Sequence, residues 1–182
     1  IGCNSRFGKI AASSSKGLPN EIPTPESAAG KILLDNFIDT PTSVVRTEFL
    51  KQIGGFDENL PRFQDWELFI RLTELGKFYG FGEPLIDSLD LADAISRNHS
   101  ARLTALNIIK HKHIEKLIKN KPALLRINKK IFFAHKILGC NTRAIKALIS
   151  CKHEIPTLHF SAMLLAAIIP GNIILKIKNT FS

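Results

Sequence analysis

The chain has 182 residues, 45% of them hydrophobic, so it is long enough to bury the core of one ordinary domain. Its three widely spaced cysteines form no Cys-x-x-Cys pair, which argues against a disulfide framework or a zinc site and favours reduced thiols. The formal net charge of +9 is uneven: 9 Lys/Arg stand against 14 Asp/Glu up to Ser96, and 16 against 2 from Arg97 onward. This asymmetry predicts two regions with different partners. The basic second region has two equal interpretations: a surface for an anionic partner, or a solvated basic helical face.

The first half predicts loops, strands and short helices. The opening IGCNS is typical of a strand interior, so we expect the protein to begin upstream of Ile1. Residues 12–30 are rich in Ser, Pro and Gly and predict a loop. The β-branched TSVVR, Thr42 to Arg46, predicts a buried strand, and TEFLKQIGG predicts a short helix that Thr47 caps and Gly54 ends.

An amphipathic helix is predicted next, from Asp65 to Leu75, because apolar residues recur in it every three to four positions. KFYGFGEPLIDSL then predicts two strands around a bend at residues 82–84. From Ser100 the pattern favours three basic helices. The first stops before Pro122, the second ends at Gly139, and the third begins at Asn141 or Thr142. The apolar C-terminal segment has two interpretations: a packed helix pair, or a helix lying on a membrane with Lys176 and Lys178 at the headgroups.

Asp65 stands at the start of the amphipathic helix, just after the glycine-led loop GGFDENLPRFQ. One interpretation is an N-cap that satisfies free backbone N–H groups and contributes about 1 kcal/mol. The other is a functional carboxylate, since Gly54 and Gly55 permit the close backbone approach of a binding loop and Trp66 is a suitable platform for a sugar ring. The Glu67 and Arg71 spacing predicts a surface ion pair.

The stretch TPTSVVRTEFLKQIGGFDENLPRFQDWELFIRLTELGKFYGFGEPLI resembles the second half of the catalytic domain of family 2 glycosyltransferases. That family has a strand ending in Arg, a short helix, Gly-Gly-Phe-Asp-Glu, an acid before a Trp or apolar residue, Leu-x-x-Arg-Leu and a Glu-Pro-Leu strand. The downstream SRNHS is similar to the family's Arg-x-His-x-Ser segment. The resemblance covers about residues 1–105 and is most specific from Thr42 to Leu85.

The resemblance implies a fold and a set of roles. It implies an α/β fold, with a partial GT-A sheet as the acceptor-side half in residues 1–99 and a basic α-helical tail in residues 100–182. It implies Asp65 as the general base, which on the residues alone is ionised at pH 7 because the helix dipole favours the charged form. The residues implied to bind substrate are Gly54, Gly55, Phe56, Asp57, Gln64, Trp66 and Arg97.

His99 is implied as a ligand of a divalent metal, Mn or Mg, although a solvent-exposed helix cap is an equal interpretation of Arg97 and His99. The sequence departs from the family because no Asp-x-Asp metal motif is present, so this chain supplies at most one metal ligand. We therefore expect the acceptor-side half of a transferase, inactive unless the missing half is supplied.

The predicted function is an inverting glycosyltransferase, or a part of one, that acts with a nucleotide sugar and a glycan or lipid-linked acceptor. The alternative is a non-catalytic basic helical module, or a degenerate transferase, that binds an anionic membrane or partner. A nucleic-acid partner is not predicted, because no RRM, KH or helix-turn-helix signature is present. The predicted location is cytoplasmic, with peripheral contact of the basic C-terminal helices at the inner membrane face.

Overall fold

A computed structural model of the chain describes residues 2–9, 12–16, 25–76, 78, 80–88 and 98–149, with five single positions between 152 and 164. Side chains are described for residues 29–76, 78, 98–149 and those five positions. The chain divides into two compact units, Ile1–Arg97 and Asn98–Ser182. Each unit has its own set of buried apolar side chains.

The backbone of the first unit contains one three-stranded sheet. Its strands are β1 (Gly2–Lys9), β2 (Ala12–Lys16) and β3 (Gly80–Ser88), in the order β2-β1-β3. β1 and β2 are antiparallel, and β1 and β3 are parallel with register shifts on both sides of Asn4. The parallel pair is therefore irregular at its centre, where a bulge is the usual cause of such a shift.

The described part of the first unit has three helices, and the third of them carries most of its described core. They are α1 (Pro25–Leu34), α2 (Thr47–Gln52) and α3 (Gln64–Leu72), and a short 3-10 turn (Thr40–Thr42) lies between α1 and α2. α3 is amphipathic in sequence, yet it is buried at every position from Trp66 to Leu72 except Arg71. Its buried apolar residues are Trp66, Leu68, Phe69, Ile70 and Leu72.

The predicted fold class, α/β with a partial GT-A sheet, is wrong. Of the residues whose side chains are described, 71% are helical and none lies in a strand. The predicted buried strand Thr42–Arg46 shows the physical reason. Pro41 opens a 3-10 turn, the hydroxyls of Thr42 and Ser43 donate back to the carbonyls of Asp39 and Thr40, and Val44 is 70% exposed.

Other local predictions in the first unit also differ from the structure. The loop predicted for residues 12–30 contains β2, and β3 runs through the bend predicted at residues 82–84. Residues 25–30 form the first part of α1, although Pro25 and the small residues after it predicted a loop. A proline at the first helical position is compatible with a helix because its missing N–H would have no intrahelical partner. The short helix predicted after Thr47 is present as α2, although Arg46 and not Thr47 is its N-cap residue.

The described part of the second unit is helical, as its periodicity predicts. It contains α4 (His99–Lys112), α5 (Ile114–Lys119), α6 (Lys121–Ile137) and α7 (Asn141–Ile149). The first predicted basic helix is broken at His113 into α4 and α5. α6 packs against each of the other three helices, so it is the centre of the unit.

Two lysines join the helices of the second unit through amide oxygens. Lys110 Nζ on α4 donates to Asn128 Oδ1 on α6 at 2.7 Å, and Lys136 Nζ on α6 donates to Asn141 Oδ1 at the start of α7 at 2.7 Å. Lys136 is fully buried, a position that charged residues occupy only when they are hydrogen-bonded. In both bonds the acceptor is a neutral amide oxygen.

The contact of α6 with α7 gives a stability prediction. Leu148 is 0% exposed and clusters with Phe132 and Ala144, whereas the adjacent Ile149 is 56% exposed. Leu148→Ala should lower the free energy of unfolding by about 2–5 kcal/mol, because it leaves a cavity in a packed core. Urea unfolding followed by far-UV circular dichroism measures this change.

Ile149→Ala is the matched control, since it removes a similar side chain from the next position of the same helix. It should change the free energy of unfolding by no more than about 0.5 kcal/mol, as is usual for surface substitutions. Equal losses for the two variants would contradict the packing of α7 described above.

Candidate functional site

Asp65 is the second residue of α3, not its N-cap. The N-cap is Phe63, which has left-handed backbone angles (φ 63°, ψ 28°) and makes no side-chain cap bond. Such a conformation costs a non-glycine residue about 1–2 kcal/mol. Phe63 is held by packing, because its ring lies edge-on to Trp66 at 5.6 Å and the Arg62 guanidinium lies 4.7 Å from its centre.

Three hydrogen bonds orient the Asp65 carboxylate. Oδ1 accepts a hydrogen bond from the backbone N–H of Trp66 at 2.7 Å and another from Asn36 Nδ2 at 3.2 Å. The backbone N–H of Asp65 itself also bonds to the carboxylate. The group is therefore held by the backbone at the start of α3 and by one side chain from another part of the first unit.

Burial raises the pKa of Asp65 above its ordinary value of about 3.8. The negative charge of Asp39 acts in the same direction, and the hydrogen bonds from Trp66 and Asn36 act against it with smaller effect. The net shift of the pKa is therefore upward, because burial outweighs the backbone N–H groups that favour the charged form. A higher pKa makes the ionised carboxylate a stronger base than an exposed aspartate.

Trp66 lies inside the core of the first unit, where it is 1% exposed. Its Nε1 donates to the carbonyl of Ile32 on α1 at 2.6 Å, which satisfies the one polar atom of the indole. A sugar platform requires an open ring face, and this burial does not provide one. In the structure Trp66 joins α3 to α1 and, as the neighbour of Asp65, fixes the backbone of that residue.

Gly54 and Gly55 form the turn that follows α2, and both have left-handed backbone angles with φ of 75° and 70°. The N–H of Gly55 donates to the carbonyl of Leu50 at 2.9 Å and closes the end of the helix. A Cβ at either glycine would meet no atom within 4 Å. The turn thus requires glycine for its backbone conformation and not for lack of space.

Glu67 and Arg71 hold this turn against α3. The guanidinium makes three hydrogen bonds of 2.7–2.9 Å to the Glu67 carboxylate, and it also donates to the carbonyls of Ile53 at 2.6 Å and Gly55 at 2.7 Å. The Glu67 side chain is 0% exposed and that of Arg71 16%. The predicted ion pair is confirmed, but its predicted place at the surface is wrong, because the Glu67 side chain is fully buried and that of Arg71 is mostly buried. The apolar residues on both sides of Glu67 and Arg71 were the sequence signal for this burial.

The remaining predicted residues of the loop have structural contacts of their own. Asp57 Oδ1 accepts from the backbone N–H and the side-chain amide of Asn59, at 3.0 and 3.2 Å. Gln64 Nε2 donates to the carbonyl of Leu60 at 2.7 Å. Phe56 is 46% exposed, so an apolar ring stands at the surface beside the glycine turn.

Asn36 and Asp39 were missed by the sequence analysis. Asn36 lies 29 residues before Asp65, and only the fold brings its amide to the carboxylate. Asp39 acts on Asp65 through its charge and not through a hydrogen bond. Neither residue stands in a motif, so the sequence contains no signal that would have identified it.

Arg97 lies outside the described residues. His99 is the first residue of α4, in the second unit, and the cap of that helix is Asn98, whose Oδ1 accepts from the N–H of Ala101 at 2.9 Å. Within the described residues, no group of three or more His, Cys, Asp or Glu side chains converges as a metal site would require. The divalent metal and the role of His99 therefore stay predictions, and no chemical step is assigned to a metal.

Comparison with known proteins gives no neighbour for this chain: no family model, no curated protein and no solved structure matches it. The resemblance to family 2 glycosyltransferases therefore rests on the residues alone. Among the described helices, none is long and apolar enough to cross a membrane.

The buried pair gives the first prediction for this site. Arg71→Ala should lower the free energy of unfolding by about 3–5 kcal/mol, because the Glu67 carboxylate would remain buried without its partner. Urea unfolding followed by the fluorescence of the single tryptophan, Trp66, measures this loss in the first unit. Arg46→Ala is the control, since Arg46 is exposed at the start of α2. Equal losses of stability in the two variants would contradict the stabilising role of the Glu67 and Arg71 pair.

The raised pKa of Asp65 gives the second prediction. The folded protein binds the Asp65 proton more tightly than the unfolded chain does, so the bound proton stabilises the fold. This contribution to the free energy of unfolding is full below about pH 3.8 and is lost as the pH rises through the folded pKa. Asp65→Asn removes that loss. The melting temperature of the variant, relative to that of the wild type, should therefore rise between about pH 3.5 and pH 7.

Thermal unfolding at a series of pH values measures this difference. Glu48→Gln makes the same chemical change at an exposed carboxylate of α2, and its melting-temperature difference should vary less with pH. A difference for Asp65→Asn that falls with rising pH would show that burial does not disfavour the charged carboxylate.

Proposed function

We propose that the chain carries the acceptor-activating part of an inverting glycosyltransferase, with Asp65 as the general base. The observation that supports this proposal most directly is the state of the Asp65 carboxylate. It is held in one orientation by the N–H of Trp66 and the amide of Asn36, and burial raises its pKa, with a smaller contribution of the same sign from the charge of Asp39. A carboxylate that served only to cap a helix would have no need of that combination.

The proposed step transfers a sugar from a nucleotide-sugar donor to a hydroxyl of a glycan or a lipid-linked acceptor. Asp65 accepts the proton of that hydroxyl as its oxygen attacks the anomeric carbon. The bond from the anomeric carbon to the nucleoside diphosphate breaks on the opposite side, and the diphosphate leaves with the bonding electrons. Attack from the face opposite the leaving group inverts the anomeric configuration.

The raised pKa favours this step for a definite reason. An acceptor hydroxyl is a very weak acid, so its proton moves only as the new bond forms and the oxygen becomes acidic. A base with a higher pKa accepts that proton more readily, provided that it is ionised at the working pH. Asp65 also has an amide neighbour, Asn36, whose hydrogen bond keeps the ionised form oriented.

The glycine turn and Phe56 are proposed to lie beside the acceptor. Gly54 and Gly55 present backbone without side chains, and Phe56 presents an exposed ring. Arg71 binds the carbonyl of Gly55 directly and belongs to the same helix as Asp65. Arg71 therefore acts as a positioning residue, because it holds the turn and the base on one rigid element.

Replacement of Asp65 tests the proposal. Protein expressed from its complete reading frame is incubated with Mn²⁺ or Mg²⁺, a panel of nucleotide sugars and water-soluble glycan acceptors, and the transfer of labelled sugar is measured. Asp65→Asn should lower kcat by about 10²–10⁴-fold, which is the usual contribution of a general base. Its fold should be intact, since the amide oxygen can accept the same two hydrogen bonds.

Glu48→Gln is the matched control and should retain full activity. Turnover of Asp65→Asn within a fewfold of the wild type would remove Asp65 as the base. Absence of transfer by the wild type across the whole panel would instead favour a degenerate transferase that keeps the scaffold without the activity.

A further inference from the structure

The helix α5 exposes two isoleucines on one side. Ile114 is 36% exposed and Ile118 is 57% exposed, and their i, i+4 spacing places them next to each other on the helix. The neighbouring pair His113 and Leu117, with the same spacing, is buried. α5 is thus anchored by one stripe of side chains and leaves an apolar stripe outside.

Lysines surround this stripe. Lys112, Lys119 and Lys121 are exposed and lie within three residues of the isoleucines in sequence. We call Lys112, Ile114, Ile118, Lys119 and Lys121 together the α5 surface. Glu115 is exposed between them, so the cations outnumber the acid at this surface.

The whole described part of the second unit has the same excess of positive charge. Residues 98–149 contain twelve Lys/Arg and a single acid, Glu115. The field of this unit is therefore positive, which attracts an anionic partner over about a Debye length, roughly 8 Å at physiological salt.

We propose that the α5 surface binds the headgroup region of an anionic lipid bilayer. Exposed aliphatic side chains bordered by lysines suit such an interface, where the apolar groups enter the acyl boundary and the ammonium groups stay at the lipid phosphates. The segment 110–121 contains no Phe, Tyr or Trp on which nucleic-acid bases would stack. This inference does not depend on the proposed transferase activity or on Lys176 and Lys178, which lie outside the described residues.

Binding of the full chain to lipid vesicles tests the inference. Co-sedimentation is measured with vesicles of phosphatidylcholine alone and with vesicles that contain about 30% phosphatidylglycerol. Binding should require the anionic lipid and should weaken as salt is raised from about 0.05 to 0.5 M. Equal binding to the neutral vesicles, or binding to neither kind, would overturn the proposal.

Two pairs of variants locate the contact. Ile118→Gln should lower the partition coefficient at least about fivefold, because its aliphatic surface enters the membrane. Ile149→Gln, at an isoleucine of equal exposure on α7 (56%), should change the coefficient less than about twofold. Equal losses for these two variants would show that α5 is not the contact.

The charge pair is matched in the same way. Lys119→Glu with Lys121→Glu should lower the partition coefficient more than tenfold, since about 1 kcal/mol is lost for each lysine near the surface. Arg143→Glu with Lys146→Glu on α7 makes the same change in net charge, so its effect measures the general field alone. If the two double variants lose binding equally, the net charge of the unit alone explains the binding, and the proposal of a contact at the α5 surface is overturned.

Far-UV circular dichroism of each variant confirms that its helices are intact. Filter binding to RNA at physiological salt completes the test. Tight RNA binding that Ile118→Gln leaves unchanged, together with absent vesicle binding, would assign the second unit to a nucleic-acid partner and overturn the lipid proposal.

Discussion

The buried pair of Glu67 and Arg71 is the interaction on which the candidate site depends. A carboxylate removed from water is costly, and here the cost is offset by three charge-assisted hydrogen bonds within the pair. The guanidinium then uses its remaining donors on the carbonyls of Ile53 and Gly55. The planar fork of arginine makes this geometry possible, whereas a lysine would offer one point charge. The turn after α2 is thus fixed to α3, the helix that carries Asp65.

A second set of contacts fixes Asp65 itself. Trp66 binds the carbonyl of Ile32 on α1, and Asn36, just beyond the end of α1, binds the carboxylate. Both contacts come from the same part of the chain, so α1 determines the position and the orientation of the carboxylate together. The cost is electrostatic, because burial disfavours the charged form of the carboxylate. Perturbed pKa values concentrate at functional sites, which is the reason to test Asp65 before other carboxylates of the first unit.

The sequence predicts the helices of this protein better than its fold class or its site. The helices α2, α3 and α6 follow from apolar spacing and from glycines at their ends, which are local signals. The buried strand predicted at Thr42–Arg46 is wrong, because Pro41 and two hydroxyls turn the backbone where β-branched residues alone would favour a strand. The contact of Asn36 with Asp65 spans 29 residues and leaves no local pattern, so only the fold could show it. For the Glu67 and Arg71 pair the spacing indicated the partners, and the apolar neighbours indicated the burial that the prediction missed.

The two units differ in the groups that accept hydrogen bonds from their inner cationic side chains. In the first unit the buried arginine is neutralised by a buried carboxylate, so its field is largely cancelled at short range. In the second unit Lys110 and Lys136 each donate to an asparagine side chain, whose amide oxygen accepts an ammonium proton without carrying a charge. A carboxylate in place of either asparagine would bind its lysine more strongly and would also lower the net positive charge of the unit. Neutral acceptors therefore let these lysines connect the helices while residues 98–149 keep twelve Lys/Arg against one acid.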